Sequence, residues 1–250
     1  MVNKRKDKIL IYDIETSYTV GAVWGLYDQN VATVLREPYI LSVAWKWLGD
    51  KTTHVMSLPD FKLYGKDKKN DRDLVIALWK LFDKADIIIA HNGNSFDQKW
   101  SYARFVIHAL PPPSPAKYVD TKVIAKNKLR VNSNSLNNLG KYFGLGEKLE
   151  TGGIQLWVDC IENDKKEAWD KMCKYNKQDV VLLEQVYLRL LPFITNHPKI
   201  GLINEKRNAC DNCGSENVQF RGFDFYQKTK HRRTQCQSCG CWGRQSLTSK

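Results

Sequence analysis

Long apolar runs are missing from this chain of 250 residues. A helix that crosses a bilayer needs about 20 consecutive apolar residues, and no run approaches that length. The opening segment, Met1 to Lys8, is mainly charged and is followed by only a brief apolar stretch, so it does not resemble a secretory signal. These absences predict a soluble, cytoplasmic protein with no membrane partner.

Internal repeats, coiled-coil heptads and long low-complexity tracts are also missing, which excludes solenoid and fibrous architectures. Hydrophobic residues make up 42% of the chain, including eight tryptophans. A chain of this length and composition can bury one substantial core, with room left for a small attached module.

Acidic residues are in short supply, with 27 against 39 lysines and arginines, so the formal net charge is +12. Such an excess favours a polyanionic partner. The last 50 residues carry nine cations and four acids, and they interleave rings with cations at 220–226 and 228–233. There the cations can pair with phosphates and the rings can stack on unpaired bases, or the rings can form the core of a small module.

Seven cysteines in a chain without a secretory signal indicate metal binding rather than disulfides. Cys210 and Cys213 form one Cys-x-x-Cys pair, and Cys236 and Cys239 form a second after 22 intervening residues. This spacing predicts one structural Zn²⁺ held by four thiolates. Two alternatives stay open, in which Cys241 or His231 replaces one ligand, while Cys160 and Cys173 are expected to be packing residues.

Two acids follow an apolar run at 9–12, where Asp13 and Glu15 stand two residues apart. The run is typical of a strand buried on both faces. Because side chains alternate along a strand, the two carboxylates point to the same side.

Further acids follow later elements. Asp97 comes after the apolar strand 86–90 and a polar turn, and Tyr175 and Asp179 share one face of a predicted helix because they are four residues apart. Each acid alone could be a helix cap or a solvated loop residue. Their order and context favour one shared site for hard divalent cations, which prefer oxygen ligands.

These motifs resemble the DEDD superfamily of 3′-to-5′ exonucleases, in its tyrosine branch, which includes the proofreading domains of family B DNA polymerases. The resemblance covers residues 8 to 192 and depends on three motifs, Asp13-Ile14-Glu15-Thr16, Asn92 to Asp97, and Tyr175 to Asp179. A weaker resemblance to the strand and helix between the second and third motifs of the family is found in Val119-Asp120-Thr121 and in Ser135 to Leu139. The resemblance implies an α/β fold with an RNase H-like mixed sheet flanked by helices.

The same resemblance implies a two-metal hydrolysis that releases nucleoside 5′-monophosphates from a 3′ end, with two Mg²⁺ or Mn²⁺ ions. Asp13, Glu15 and Asp179 would hold the first ion, Asp13 would also contact the second, and Asp97 would support the second. Tyr175 would orient the water. Candidate substrate-binding residues are Asn92, Phe96 and Lys148, and each also has a purely structural interpretation as a loop or surface residue.

The whole chain resembles a narrower group, small stand-alone exonucleases of phages and bacteria that carry a C-terminal zinc ribbon. That narrower resemblance implies an exonuclease domain at 1–195 and a nucleic-acid-binding zinc ribbon at 209–250. Residues 196–208, which contain Pro198 and Gly201, are expected to be the linker between them. Expected partners are DNA with a free 3′ end and a polymerase or recombination protein, in replication or repair, and the compartment is the host cytoplasm if the gene belongs to a phage.

Three other functions stay open. The chain could be an exoribonuclease, which would have to recognise the ribose 2′-hydroxyl. It could be a structure-selective endonuclease on the same fold, or a non-catalytic zinc-ribbon adaptor. The complete set of acids argues against an adaptor, which has no physical need for it.

Hydrophobic periodicity also predicts the main elements. Strands or extended segments are expected at 8–14, 20–27, 39–48, 52–57, 86–90 and up to Asp120, and helices at 71–82, 97–108, 121–127, 135–143 and 165–191. The four segments up to residue 57 are expected to form the antiparallel half of the sheet.

Overall fold

A computed structural model describes residues 8–27, 29–203, 206, 208–226 and 229–247. Its strands are β1 (Ile9–Thr16), β2 (Val20–Ala22), β3 (Thr33–Arg36), β4 (Ile40–Trp47), β5 (His54–Ser57), β6 (Ile87–Ala90), β7 (Lys117–Asp120), β8 (Val218–Tyr226), β9 (Thr229–Cys236) and β10 (Trp242–Ser246). Its α-helices are α1 (Arg72–Lys84), α2 (Asp97–Ile107), α3 (Thr121–Lys128), α4 (Leu136–Tyr142), α5 (Ile154–Ile161), α6 (Lys166–Leu190) and α7 (Ile200–Ile203).

Five strands form the central sheet in the order β5-β4-β1-β6-β7. The central strand, β1, pairs antiparallel with β4 and parallel with β6, and β6 pairs parallel with β7. The predicted mixed sheet flanked by helices is therefore confirmed. Because β1, β6 and β7 are parallel, their carboxyl ends meet at one edge of the sheet.

Each face of this sheet is covered by its own apolar cluster. Along β1, Leu10 and Tyr12 belong to the cluster that also contains residues of α1, α2 and α5, whereas Ile9 and Ile11 belong to the one that contains residues of α3, α4 and α6. Tyr12 is fully buried and packs edge-on against Phe82 at 5.0 Å between ring centroids. This burial on both faces explains the continuous apolar run of β1.

The expectation for segment 20–27 was wrong. Only 20–22 is a strand, and it pairs with β3 in a separate two-stranded sheet instead of joining the central one. Several of its apolar side chains are exposed, among them Trp24 at 92%. Apolar composition indicated an extended segment here, but it could not indicate that the segment leaves the core. Periodicity also did not predict β3 and α5.

Beyond α6 the chain continues into a C-terminal module, residues 209–247, whose strands β8, β9 and β10 form an antiparallel sheet. Ile194 and Ile200, between α6 and the module, are buried in the same cluster as the end of α6. Asn212 of the module donates hydrogen bonds of 2.8 Å to the carbonyl oxygens of Leu191 and Ile194. The module is thus packed against the end of α6.

The predicted domain boundaries at 195 and 208 remain a prediction. Residues 1–7, 28, 204, 205, 207, 227, 228 and 248–250, which belong to the predicted domain ranges, lie outside the described part of the chain. Within that part, every helix is too short or too polar to cross a bilayer.

Candidate functional site

Three carboxylates from two distant segments meet at the edge where β1 ends. Asp13 and Glu15 face Ala44 and Ser42 of β4 in register, and Asp179 comes from α6. One ligand oxygen of each of the three lies within 4.8 Å of the other two. Like charges at this separation repel strongly unless a cation lies between them.

Asp179 is the most deeply buried of the three, at 1% exposure. Its Oδ1 atom is buried and has no hydrogen-bond partner among the described residues. A buried, unpaired carboxylate oxygen is costly, and a metal ligand bond is one way to satisfy it. The donor set of hard oxygens fits Mg²⁺ or Mn²⁺.

Lys148 supplies the nearest positive charge. Its Nζ atom lies 2.6 Å from Oδ2 of Asp179 and donates a hydrogen bond of 2.9 Å to the hydroxyl oxygen of Tyr175. The backbone N–H of Lys148 is held by the side chain of Asn137 at 2.9 Å. Burial by itself lowers the pKa of Lys148. The charge of Asp179 and the hydrogen bonds to Asp179 and Tyr175 have a larger, opposite effect and raise the pKa above its ordinary value, so the ammonium is charged.

Asp97 is also buried, at 3% exposure, in the first turn of α2. Its Oδ1 atom accepts a hydrogen bond of 3.2 Å from the backbone N–H of Ile14, directly beside Asp13. Asp97 lies outside the group of three converging carboxylates, but its charge is the second largest cause, after burial, of the raised pKa of Asp13.

The raised pKa values of the four acids have one shared cause, which is burial. Burial, followed by repulsion from Asp179, raises the pKa of Glu15 to about 8. Burial also raises the pKa of Asp97 to about 7, and those of Asp13 and Asp179 above their ordinary value. A site with these properties favours protons or divalent cations, and perturbed acids of this kind cluster at functional sites.

Asn176 is a site residue that none of the sequence motifs indicated. Its Nδ2 atom donates to Oδ2 of Asp13 at 2.7 Å and to the carbonyl oxygen of Asp13 at 3.2 Å, while its Oδ1 atom accepts from Ser42 at 3.0 Å. The side chain is fully buried and fixes the orientation of Asp13. The available signal was its spacing, since 172, 176 and 180 repeat at helical intervals, and a polar residue in that buried stripe needs a partner.

The second motif forms the loop between β6 and α2. Asp120, at the end of β7, accepts hydrogen bonds of 3.0 and 3.1 Å from the backbone N–H groups of Asn92 and Asn94. It also caps α3 through Lys122 and Val123. Asn92 has a left-handed backbone with φ of 68°. Asp120, in the segment 119–121 that weakly resembles the family, therefore holds the second motif in place.

The other sequence-predicted residues lie at the same edge of the sheet. Phe96 is 38% exposed and immediately precedes α2. Tyr175 packs edge-on against Trp157 at 6.4 Å, and Trp157 donates a hydrogen bond of 3.1 Å to the carbonyl oxygen of Thr16. Burial, followed by repulsion from Asp179, raises the pKa of Tyr175 to about 12, so its phenol is neutral at neutral pH.

Residues 39–191 match the family model of the RNase H superfamily (RNase_H_2). The chain belongs to the RNase H superfamily. The matched range contains Asp97, Tyr175 and Asp179 and begins after β1, which carries Asp13 and Glu15. No curated protein matches this chain.

Solved structures include a similar fold, the family B DNA polymerase from the hyperthermophilic archaeon Pyrobaculum calidifontis. The TM-score is 0.57 at 15% sequence identity, and the match covers 91% of this chain. This RNase H superfamily chain spans about a third of the polymerase, 32% of its length, so the likeness concerns the fold.

The cysteine cluster lies beyond the range matched to the RNase H superfamily. The sulfur atoms of Cys210, Cys213, Cys236 and Cys239 all lie within 4.8 Å of one another, with 3.6 Å between Cys210 and Cys239 and between Cys213 and Cys236. Zn–S bonds of about 2.3 Å in a tetrahedron require sulfur separations of roughly 3.8 Å, so the four thiols fit Zn²⁺. A disulfide needs about 2.05 Å, which excludes one at these two pairs.

The two alternative zinc ligands lie outside this cluster. The thiol of Cys241 donates to the carbonyl oxygen of Trp242 at 3.4 Å, and Nε2 of His231 lies 3.0 Å from the hydroxyl of Thr229. Cys213 and Cys239 also pack against the apolar cluster around the end of α6. The cysteine cluster is thus in contact with the RNase H domain.

Proposed function

We propose that this protein is a metal-dependent 3′-to-5′ exonuclease that hydrolyses phosphodiester bonds at the 3′ end of a DNA strand and releases nucleoside 5′-monophosphates. The observation that carries the proposal is the convergence of Asp13, Glu15 and Asp179 within 4.8 Å, with a buried, unpaired oxygen on Asp179. Membership in the RNase H superfamily and the resemblance to DEDD exonucleases support the reaction and its direction.

The acids divide into two ligand sets. Asp13, Glu15 and Asp179 would hold one divalent cation, and Asp13 together with Asp97 would hold a second. In such a pair the metal charges lower the pKa of the attacking water and stabilise the leaving oxygen. Asn176 fixes the rotamer of Asp13, and the backbone N–H of Ile14 fixes Asp97, so the ligand oxygens are oriented before any cation binds.

Tyr175 acts by positioning. Its raised pKa keeps the phenol protonated at neutral pH, which argues against a role as principal base. Lys148 donates to the phenol oxygen, so the phenol proton is left for an acceptor at the site, which can be Asp179, the water or a phosphate oxygen. Tyr175 therefore orients the reacting groups.

Lys148 has a further role in the proposal. Its ammonium already lies against Asp179 and Tyr175, which places a cation where the scissile phosphate would approach. An ammonium is a suitable phosphate partner. We assign Lys148 to the phosphate, Phe96 to apolar contact with the terminal nucleotide, and Asn92 to a hydrogen bond with it, because the last two residues flank the loop at the same edge of the sheet.

The loss of folding stability caused by the buried acids argues against the adaptor alternative. Burial of four acids with raised pKa values destabilises a fold, and a chain that only binds DNA gains nothing from it. In the proposed protein the C-terminal module carries one structural Zn²⁺ and contributes to DNA binding.

The deciding experiment compares DNA strands labelled at the 5′ end or at the 3′-terminal nucleotide, strands with a blocked 3′ end, circular strands and matched RNA strands, each with and without Mg²⁺. The proposal expects a ladder of products shortened from the 3′ end, mononucleotide release, and no cutting of blocked or circular strands. Cleavage of circles would identify an endonuclease, and preference for matched RNA would identify an exoribonuclease. Asp179→Asn should abolish hydrolysis, whereas Asp170→Asn, an exposed acid on the same helix, should not.

A further inference from the structure

Three phenylalanines of the C-terminal module are exposed together on one face of its sheet. Phe220, Phe223 and Phe225 are 52%, 42% and 69% exposed. Phe220 and Phe223 pack edge-on at 5.3 Å, and Nζ of Lys230 lies 3.9 Å from the ring centroid of Phe223 and 5.8 Å from that of Phe225. These rings form a surface cluster and not a core.

A bulge in β8 creates this arrangement. In a regular strand Phe220 and Phe223, three residues apart, would point to opposite faces. Phe220 pairs with Thr234 and Phe223 pairs with Arg232, so β8 contains one residue more than β9 between these pairs. Gly222 adopts φ of +86° within the bulge. The extra residue turns all three rings to the same side.

The opposite face of the sheet is turned toward the segment that follows α6. Arg233 lies over the ring of Trp242 at 5.4 Å, and Arg244 forms an ion pair with Asp224. Together with Ile194 and His197 these four residues line one cavity. We call the face with the three phenylalanines the outer face and the opposite face the inner face.

Charge on the two faces is unequal. Residues 218–246 contain six cations and a single acid, Asp224. Asp224 belongs to the inner face and is paired with Arg244. Arg232 and Lys230 of β9, the direct cross-strand partners of Phe223 and Phe225, therefore have no acid beside them among the described residues of the three strands. A row of apolar rings beside a row of cations matches stacked bases joined by phosphates.

We propose that the outer face is a second binding surface, for single-stranded nucleic acid, on which bases stack against Phe220, Phe223 and Phe225 while Lys230 and Arg232 pair with phosphates. This inference rests on the proposed function, because it takes the substrate to be a nucleic acid. The outer face would bind long strands, and hydrolysis of short strands does not need it. A protein partner is less suited, since apolar protein interfaces exclude charged residues from their centres.

The test uses the full chain with Asp13→Ala, so that bound strands are not cut. Binding of a labelled homopolymeric single strand is measured over a range of salt concentrations for three further variants: the double variant Phe223→Ala/Phe225→Ala, Lys230→Met, and the control Phe193→Ala. Phe193 is a 58% exposed ring outside the module. Zinc content and the melting temperature verify that each variant is folded.

The double variant should weaken binding by about tenfold or more, since each stacked base contributes roughly 1–3 kcal/mol. Lys230→Met should make the salt dependence shallower by about 0.7 for each phosphate that is no longer neutralised. Phe193→Ala should bind like its parent. Parental affinity in both module variants, equal weakening by Phe193→Ala, or failure of the parent to bind single strands while it binds a protein would overturn the inference.

Hydrolysis by the chain with Asp13 intact separates the two proposals. If that chain degrades strands and the module variants bind normally, only the outer-face inference fails. If it degrades nothing but the module variants lose affinity, the inference stands and the proposed reaction fails.

Discussion

The ammonium of Lys148 donates a hydrogen bond to the phenol oxygen of Tyr175 at 2.9 Å and at the same time lies 2.6 Å from Asp179. One side chain from the loop between α4 and α5 thus links two residues that α6 places one turn apart. This link makes the hydrogen-bond direction of Tyr175 depend on Lys148.

Lys148→Met should therefore lower kcat/KM by about tenfold or more, because hydrogen bonds to charged groups contribute roughly 1.5–3 kcal/mol. Steady-state hydrolysis of a labelled single strand measures the effect. Lys141→Met is the control, since Lys141 is 56% exposed and paired with Glu147 at the surface. If Lys148→Met hydrolyses the strand with the same kcat/KM as Lys141→Met, Lys148 does not contribute to the reaction.

Tyr175→Phe should slow the reaction without abolishing it. The variant loses the donated proton that orients the water, but it keeps all four acids, so about 10- to 1000-fold loss of kcat is expected with KM nearly unchanged. A loss as complete as that of Asp179→Asn would contradict a positioning role for the phenol.

Asn176→Leu should weaken the binding of divalent cations. The side chain holds Asp13 by a hydrogen bond of 2.7 Å, and loss of such support typically costs about 10- to 100-fold in metal affinity. Titration calorimetry with Mn²⁺ measures the change, and Lys177→Leu, an exposed neighbour on α6, is the control. Unchanged Mn²⁺ affinity in Asn176→Leu would show that Asp13 is oriented without it.

The stability of the metal-free protein should fall as pH rises. Burial and the repulsion of Asp179 raise the pKa of Glu15 from 4.5 to about 8, so the folded chain binds this proton more tightly than the unfolded chain. The corresponding stability is present below pH 4.5 and is lost progressively as pH rises through about 8. Melting temperatures across this interval measure the loss.

Added Mg²⁺ should counteract that loss, with an effect that grows with pH, because the ion binds the deprotonated acids. Glu15→Gln should flatten the pH dependence of the metal-free protein. A melting temperature that is independent of pH over this interval in the unsubstituted chain would contradict the burial of like charges at the site.

Sequence periodicity was sufficient for the parts of the site that lie within one element. Strand alternation predicts that Asp13 and Glu15 share a side, and helical spacing predicts the same for Tyr175 and Asp179. The mixed sheet, confirmed by the structure, follows from the order of these elements along the chain.

Long-range contacts could not be predicted in this way. The hydrogen bonds of Asn176 to Asp13 and Ser42 join three elements, and the contact of Lys148 with Asp179 depends on the path of a glycine-rich loop. Phe220 and Phe223 lie on the same face of the sheet because of a bulge, whereas strand alternation alone would predict opposite faces. The exposed segment 20–27 shows the converse, since apolar residues there do not mark a core strand.

The most direct test of the proposed metal site is the position of bound Mn²⁺, located by anomalous scattering in crystals of the protein soaked with that ion. Two peaks are expected among the carboxylates of Asp13, Glu15, Asp97 and Asp179. The absence of any peak at these carboxylates under conditions in which the protein hydrolyses DNA would contradict the proposed site.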